Sequence, residues 1–250
     1  MVHILKSDYE TITAECPHCR TTSVYNRVSD IGDVGPYVGR DIPCLSCGRD
    51  FWISMDKVGP LYQMFIHAAE EHFGRKHYML AVASLGQAWE VFFLTYARDI
   101  FLYRPFFATS SCEEAIEELN AVAEMLDTAI EKTTFSPLRN LFFWTTIKNI
   151  RPQTLAESTE AIARIVPDRL CERPKSSLIE SLSAQEPSAS LRQLFSLTIA
   201  ELRNNVVHKY AFRPSRSKTE RCLNEEMDFM YSLKHLFRVG TYEEHAAGVI

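Results

Sequence analysis

Two Cys-x-x-Cys pairs constrain the fold of the first part of this chain more than any other feature. Cys16 and Cys19 form one pair, Cys44 and Cys47 form the other, and twenty-four residues separate the two. The turn within such a pair lets two thiolates reach one metal ion, and two pairs complete a tetrahedral shell of four sulfurs. The sequence therefore predicts a four-cysteine zinc ribbon holding a structural Zn²⁺, and a redox-active dithiol is the alternative.

The residues around the two pairs favour the ribbon. Short β-like runs cover residues 11–15, 21–28 and 50–54, and turn residues separate them. Gly48 follows the second pair, where a glycine allows the backbone to bend sharply. His18 lies inside the first pair, but four sulfurs already fill the shell, so we expect an exposed histidine. Four protein ligands leave no open position on the metal, which predicts a structural and not a catalytic site.

The distribution of glycine indicates a domain boundary near residue 59. Five of the nine glycines precede residue 60, and long helical patterns with few glycines follow it. We predict a mainly α protein in three parts: a zinc ribbon over residues 1–59, a helical bundle over residues 60–239, and a flexible tail over residues 240–250.

Apolar periodicity predicts the helices of the bundle at 61–73, 76–101, 111–132, 137–150, 154–166, 190–207 and 219–238. Ser111 and Glu114 have the spacing of a capping box at the start of the third helix. Between residues 77 and 97 the only formally charged side chain is Glu90, which is typical of a helix in the middle of a bundle. Polar residues interrupt this run, so we expect a buried helix and no membrane span. Residues 171–187 read as an irregular connection.

Charge and cysteine usage limit the class of protein. The net charge is -5, which excludes a basic coat for nucleic acids. Cys112, Cys171 and Cys222 are scattered among helical patterns, so the seven cysteines do not form a disulfide framework and indicate a reducing compartment. The chain start has no basic region followed by an apolar signal core. We therefore expect a cytoplasmic protein.

One segment near the end of a predicted helix carries the residue types that RNA cleavage needs. Arg203, Asn204, His208 and Tyr210 lie within eight residues. Arginine grips phosphate, and histidine transfers protons near neutral pH. Between Arg203 and residue 221 there are six Lys or Arg and one acidic residue, and the candidate RNA-binding residues among them are Lys209, Arg213, Arg216 and Lys218. Such a basic stretch attracts a phosphate backbone, although an ordinary solvated loop and helix start has the same composition.

The combined pattern Arg-Asn-x3-His-x-Tyr at the end of an amphipathic helix resembles the motif of HEPN domains, and its form resembles the toxin branch of that family. The resemblance implies a HEPN-like helical bundle over about 180 residues and a metal-independent endoribonuclease that works as a homodimer. It also implies Arg203 and His208 as catalytic residues, products with 2′,3′-cyclic phosphate ends, and a place in phage defence or a toxin–antitoxin system with a partner protein. Tyr210 stands where a partner nucleotidyltransferase modifies the toxins of this branch.

The geometry of a helix poses a problem for this assignment. Arg203 and His208 are five positions apart, so an ideal helix directs them about 140° away from each other. Either the helix loosens at its Asn and Val residues, or a symmetric dimer brings two copies of the motif together. Asn204 is placed to hold the imidazole of His208, and Glu90 either orients Arg203 or His208 or is simply exposed. A non-catalytic module that binds RNA or nucleotide, or that docks a protein, remains the alternative function.

Overall fold

The computed structural model describes residues 11–26, 30, 40–53, 60–108, 112–130, 133–209 and 212–240. The protein is mainly helical, with 67% helix, and has a small N-terminal region of two β-hairpins. This agrees with the mainly α class and the β region predicted from the sequence. The capping box at Ser111, Tyr210 and residues 241–250 lie outside the described residues.

The N-terminal region consists of two antiparallel hairpins. Strand β1 (Thr11–Glu15) pairs with β2 (Thr22–Asn26), and β3 (Arg40–Pro43) pairs with β4 (Asp50–Ile53). Each hairpin closes through one of the Cys-x-x-Cys turns. The strand β3 was absent from the sequence prediction because four residues containing a proline give too short an alternation to recognise. A separate small core fills this region, formed by Cys16, Tyr25, Ile42, Cys44 and Phe51.

Eleven helices are described after residue 60. They are α1 (Leu61–Gly74), α2 (Tyr78–Arg98), α3 (Arg104–Ala108), α4 (Cys112–Ile130), α5 (Phe135–Ile147), α6 (Leu155–Arg164), α7 (Val166–Cys171), α8 (Ser176–Ser181), α9 (Ser188–Gln193), α10 (Ile199–His208) and α11 (Arg216–Phe237). Most bounds lie within a few residues of the predictions. The predicted irregular connection over 171–187 contains only the short helix α8 and the end of α7.

Helix α2 is the centre of the bundle. It packs against α1, α5, α10 and α11, and its Trp89, Phe92 and Phe93 are fully buried. Burying one such aromatic side chain contributes about 1.5–3 kcal/mol. The helix continues through a π-helical turn (Asp99–Tyr103) into α3, so the predicted end at residue 101 was too early.

The rod Tyr78–Ala108 is long and apolar enough to cross a membrane by length and composition, with a mean hydropathy of 1.2. Yet 56% of its most apolar window is buried inside the fold. A central core helix of a bundle has this composition because neighbours surround it on nearly all sides.

The predicted helix over residues 190–207 was wrong, because it is two helices. Helix α9 ends at Gln193, and α10 begins at Ile199 after a five-residue break. Leu191, Leu194 and Leu202 are buried as the apolar stripe requires, so the stripe crosses the break. The break has a physical cause in α11, where a buried carboxylate binds the first amides of α10.

Candidate functional site

The four cysteines of the hairpin turns meet in the structure. Their Sγ atoms all lie within 4.8 Å of one another, with Cys16 and Cys47 3.8 Å apart and Cys19 and Cys44 3.6 Å apart. Four sulfurs around a zinc ion at about 2.3 Å in a tetrahedron are about 3.8 Å from each other. The two shorter separations match this value, and the cluster as a whole is compact enough for a tetrahedral thiolate-bound metal ion.

The two turns repeat one backbone geometry. The amide of Arg20 donates to the Cys16 carbonyl at 2.9 Å, and the amide of Gly48 donates to the Cys44 carbonyl at 2.9 Å. Both residues have a positive φ, 60° at Arg20 and 70° at Gly48. The bend predicted at Gly48 is confirmed, whereas the same bend at Arg20 uses a residue that favours it less. His18 is exposed and its Nε2 lies 3.1 Å from the Asp50 carbonyl oxygen, so it is not directed at the sulfurs.

The surroundings of the sulfurs favour thiolates at two positions. The hydroxyl and amide of Thr21 lower the pKa of Cys19 to about 6, and the amides of Cys47 and Ser46 lower the pKa of Cys44. At Cys47 the Arg49 amide lowers the pKa, but desolvation and the neighbouring thiols raise it to about 11. A metal ion binds thiolates, so preformed amide donors to sulfur prepare the site for one.

Helix α10 carries the Arg203–His208 segment, and Glu226 of α11 fixes where this helix begins. The Glu226 Oε1 atom accepts hydrogen bonds from the Thr198 amide at 2.8 Å, the Thr198 hydroxyl at 3.2 Å and the Ile199 amide at 2.9 Å. A carboxylate is favourable at a helix N-terminus because unpaired amides point there. Burial raises the pKa of Glu226 to about 6, although these hydrogen bonds lower it.

Arg203 lies in a cleft and is held there by Glu90. One Glu90 oxygen, Oε1, is 3.5 Å from Arg203 Nη2 and accepts the Phe135 amide at 3.0 Å. Glu90 is 8% exposed, so it is a buried carboxylate with a partner, and the exposed alternative for this residue is excluded. The side chain of Arg203 keeps 26% of its surface exposed. The guanidinium is therefore fixed in position and still reachable from solvent.

Gly86 makes room for Arg203 on α2. A Cβ atom at Gly86 would lie 2.8 Å from Arg203 Cγ and 3.3 Å from its Cβ. Only a residue without a side chain allows α10 to approach α2 this closely. The resulting cleft is open to solvent, and the space between its walls is about 330 Å³ when that solvent is included. Its lining includes Gly86, Glu90, Phe135, Arg203 and Asn204.

His208 is exposed and is the last residue of α10. The predicted loosening of the helix before His208 was wrong, because the helix stays regular and the Lys209 amide donates to the Asn205 carbonyl at 3.0 Å. Arg203 and His208 therefore point in directions about 140° apart. Asn204 contacts Arg203, whose Nη1 is 3.5 Å from Asn204 Oδ1. Within the described ranges no hydrogen bond joins Asn204 to His208.

The basic residues after His208 are on the surface. The side chains of Lys209, Arg213, Arg216 and Lys218 are exposed. Arg216 makes a long i,i+4 contact of 3.9 Å with Glu220, and the Lys218 ammonium lies 5.9 Å from the centre of the Phe212 ring. Exposed contacts of this kind contribute little, so the charges of Arg216 and Lys218 remain available to an anion. No structural result assigns RNA to this surface.

Three residues of this region were missed in the sequence. Phe135 and Gly86 had no local signal, since their roles depend on helices that are distant in the chain. Glu226 did have one: it interrupts the apolar stripe of α11 between buried Cys222 and Phe229. A lone acid at an apolar position must find a partner, so the stripe marks Glu226 as a buried, bonded carboxylate.

No protein-family model, no curated protein and no solved structure matches this chain.

Proposed function

We propose that this protein is a metal-independent endoribonuclease of HEPN type that acts as a homodimer. The proposal depends on the position of Arg203, whose guanidinium is held by Glu90 in a cleft that solvent can enter. In this mechanism a ribose 2′-hydroxyl attacks the adjacent phosphorus, the bond to the 5′-oxygen breaks, and a 2′,3′-cyclic phosphate forms. Arg203 stabilises the charge on the phosphate oxygens, and His208 transfers the protons.

The dimer is part of the proposal for a geometric reason. Within one copy, five helical residues separate Arg203 from His208 by about 7.5 Å along the axis and about 140° around it. A two-fold axis beside α10 brings His208 of one copy toward Arg203 of the other.

The first test compares cleavage of single-stranded RNA by the wild type, Arg203→Ala and His208→Ala. Loss of the proton-transfer group lowers the rate by about 10²–10⁴-fold. His235→Ala is the matched control, because His235 is an exposed histidine on α11. Full activity of His208→Ala, or equal losses in His208→Ala and His235→Ala, contradicts the proposal. Products are mapped for cyclic phosphate ends.

A mixing experiment tests the shared site. If each site takes Arg203 from one copy and His208 from the other, a mixed dimer of Arg203→Ala and His208→Ala has one intact site. Random exchange of subunits then restores about one quarter of the wild-type activity from two inactive proteins. No recovery after confirmed subunit exchange shows that the site is not shared.

A second function is supported by the orientation of the two side chains. Because His208 points about 140° away from Arg203 on a regular helix, the guanidinium alone can hold an RNA or nucleotide phosphate without cleavage. Purified protein that shifts RNA in a salt-dependent way and leaves it intact identifies this binding module.

The proposal also covers the ribbon and the setting of the activity. We assign the four-cysteine site to a structural Zn²⁺ held by Cys16, Cys19, Cys44 and Cys47, since a closed shell of four thiolates is typical of that ion. Its chemistry is to hold the two hairpins together. A role in phage defence or a toxin–antitoxin pair rests on the resemblance of the motif alone.

A further inference from the structure

A second cleft, between the start of α5 and the segment from Arg173 to Ser196, contains an unusual set of charges. The cleft is open to solvent, and the space between its walls is about 720 Å³ when that solvent is included. Its lining includes Arg139, Arg173, Arg192, Glu180 and Phe195. Three guanidinium groups thus face one carboxylate in a chain whose net charge is -5. In the part of the chain that the structure describes, Glu180 forms no ion pair with any of the three. Three cations and one carboxylate give the lining of the cleft an excess of positive charge, which attracts an anion.

Arg139 is the most constrained of the three. Its guanidinium carbon lies 4.6 Å from the centre of the Phe195 ring and 5.6 Å from that of Phe135. These rings hold the planar group in one orientation. Its Nε atom is buried and has no hydrogen-bond partner among the described residues. Burial lowers the pKa of Arg139 to about 10, and the positive charge of Arg173 acts in the same direction.

The other two arginines complete an open arrangement. Arg173 is exposed, with no ion pair within the described ranges. Arg192 donates one hydrogen bond to the Leu182 carbonyl, which fixes its direction and leaves the rest of its guanidinium available. The cleft thus combines one oriented guanidinium, that of Arg139, with two accessible ones, those of Arg173 and Arg192. Such a set suits a tetrahedral anion, which has several oxygens that accept hydrogen bonds.

We propose that this cleft is a binding site for phosphate groups, gripped by Arg139, Arg173 and Arg192. The inference goes beyond the proposed ribonuclease activity and does not depend on it, because none of these residues lines the Arg203 cleft. Two sources supply the same chemistry: a free phosphorylated molecule such as a nucleotide, or the backbone of an RNA strand. The experiment below separates them.

The first measurement is the melting temperature of the full-length protein in inorganic phosphate, compared with chloride at equal ionic strength. Phosphate at about twenty times its Kd raises the melting temperature by roughly 4 °C for a protein of this size. Arg173→Gln removes most of the rise, and so does Arg139→Gln. Arg164→Gln is the matched control, because Arg164 is an exposed arginine on α6 that lies outside the cleft.

Glu180 provides a variant with the opposite expected effect. Glu180→Gln keeps the shape of the side chain and removes the one carboxylate that lines the cleft among the described residues. Phosphate should then bind several-fold more tightly, and the rise in melting temperature should grow. If Arg139→Gln does not fold, the exposed Arg173 and Glu180 carry the test alone. No rise in the wild type, an equal rise in all variants, or an equal loss in Arg164→Gln and Arg173→Gln overturns the proposal.

Titration calorimetry with adenosine monophosphate and with a short single-stranded RNA then identifies the source. Tighter binding of the mononucleotide than of inorganic phosphate, lost in Arg173→Gln, indicates a free nucleotide. RNA binding whose salt dependence falls by about one unit in Arg173→Gln indicates the RNA backbone. Both titrations use the His208→Ala variant, in which the proposed cleavage is blocked and the RNA stays intact. The result therefore does not depend on whether the ribonuclease proposal is correct. Binding of neither ligand overturns the site.

Discussion

Replacing Gly86 with alanine tests the close approach of α10 to α2. The new Cβ would lie 2.8 Å from Arg203 Cγ, a distance that real contacts do not tolerate. Because Cγ is close to the backbone, a movement of the guanidinium end of the side chain does not relieve this contact. Either α10 shifts as a whole or Arg203 adopts another rotamer. Overpacking of this kind costs about 1–3 kcal/mol, whereas glycine to alanine inside a helix gains about 0.5–1 kcal/mol. We expect Gly86→Ala to reduce the free energy of unfolding by about 0–2 kcal/mol.

The diagnostic result comes from a double-mutant cycle with Arg203→Ala. Removing Cγ leaves only the Cβ of residue 203 near the new methyl group, at 3.3 Å. In that background the gain in helix propensity dominates, so Gly86→Ala becomes neutral or stabilises by up to about 1 kcal/mol. The expected coupling between the two positions is therefore about 1–3 kcal/mol.

Urea unfolding of the four proteins, followed by circular dichroism, measures this coupling. Gly74→Ala is the control, since Gly74 is also helical and a Cβ there meets nothing within 4 Å. It should show no coupling to Arg203→Ala. If Gly86→Ala changes the stability equally with and without the arginine, Arg203 does not lie against α2 as described, and the cleft argument fails with it.

Three further perturbations follow from the buried acids and the cysteines. Glu226→Gln keeps an oxygen that accepts the Thr198 and Ile199 amides. Folding raises the pKa of Glu226 from 4.5 to about 6, so protonation of this carboxyl stabilises the folded state. That stabilisation is lost in the wild type as the pH rises through 6. The stability of Glu226→Gln relative to wild type should therefore increase by about 2 kcal/mol between acidic and neutral pH, and a difference that stays constant with pH refutes the argument. Glu90→Gln should lower the single-turnover rate of RNA cleavage by about tenfold, because Arg203 loses the carboxylate that positions it. RNA binding should be unchanged or tighter, because Arg203 keeps its charge. An unchanged rate would show that Glu90 has no part in the mechanism. Cys44→Ser or a strong chelator should release the metal of the proposed four-cysteine site, measured with a metal indicator. The hairpins should then unfold while the helical dichroism persists, because the two cores consist of different residues. Loss of all helical signal on chelation would contradict separate cores.

The features that the sequence predicted are those encoded within a few residues. The cysteine spacing specifies two turns, each closed by a local hydrogen bond, and it supplies the four sulfurs that meet in the structure. The apolar run of α2 predicts its central position, since no other location buries it on all sides. Arg203 and His208 were chosen as candidates from an equally local pattern and stay a prediction, and the sequence says nothing about the direction of either side chain.

The features that were missed depend on contacts between distant segments. The break before α10 follows from a hydrogen bond between residues twenty-seven positions apart, Glu226 and Ile199. Periodicity could not reveal it, because the apolar stripe runs through the break. The role of Gly86 depends on which side chain of another helix faces it. A single glycine in a helix pattern does not encode that information.

Two buried acids position the beginning and the middle of α10 but not its end, and this difference affects the proposed mechanism. Glu226 fixes the beginning of the helix and Glu90 fixes Arg203 in its middle, so α11 and α2 together define the position of the guanidinium. His208 at the end has no such partner within the described residues, and only the helix itself directs it. Catalysis with these two groups therefore needs the imidazole to be held by something outside the protomer, either the RNA or a second copy of the chain. In the proposed ribonuclease, Arg203 would be fixed in the subunit, whereas His208 would be held only in the assembled state. Cleavage would then depend on assembly, and an isolated subunit would be inactive.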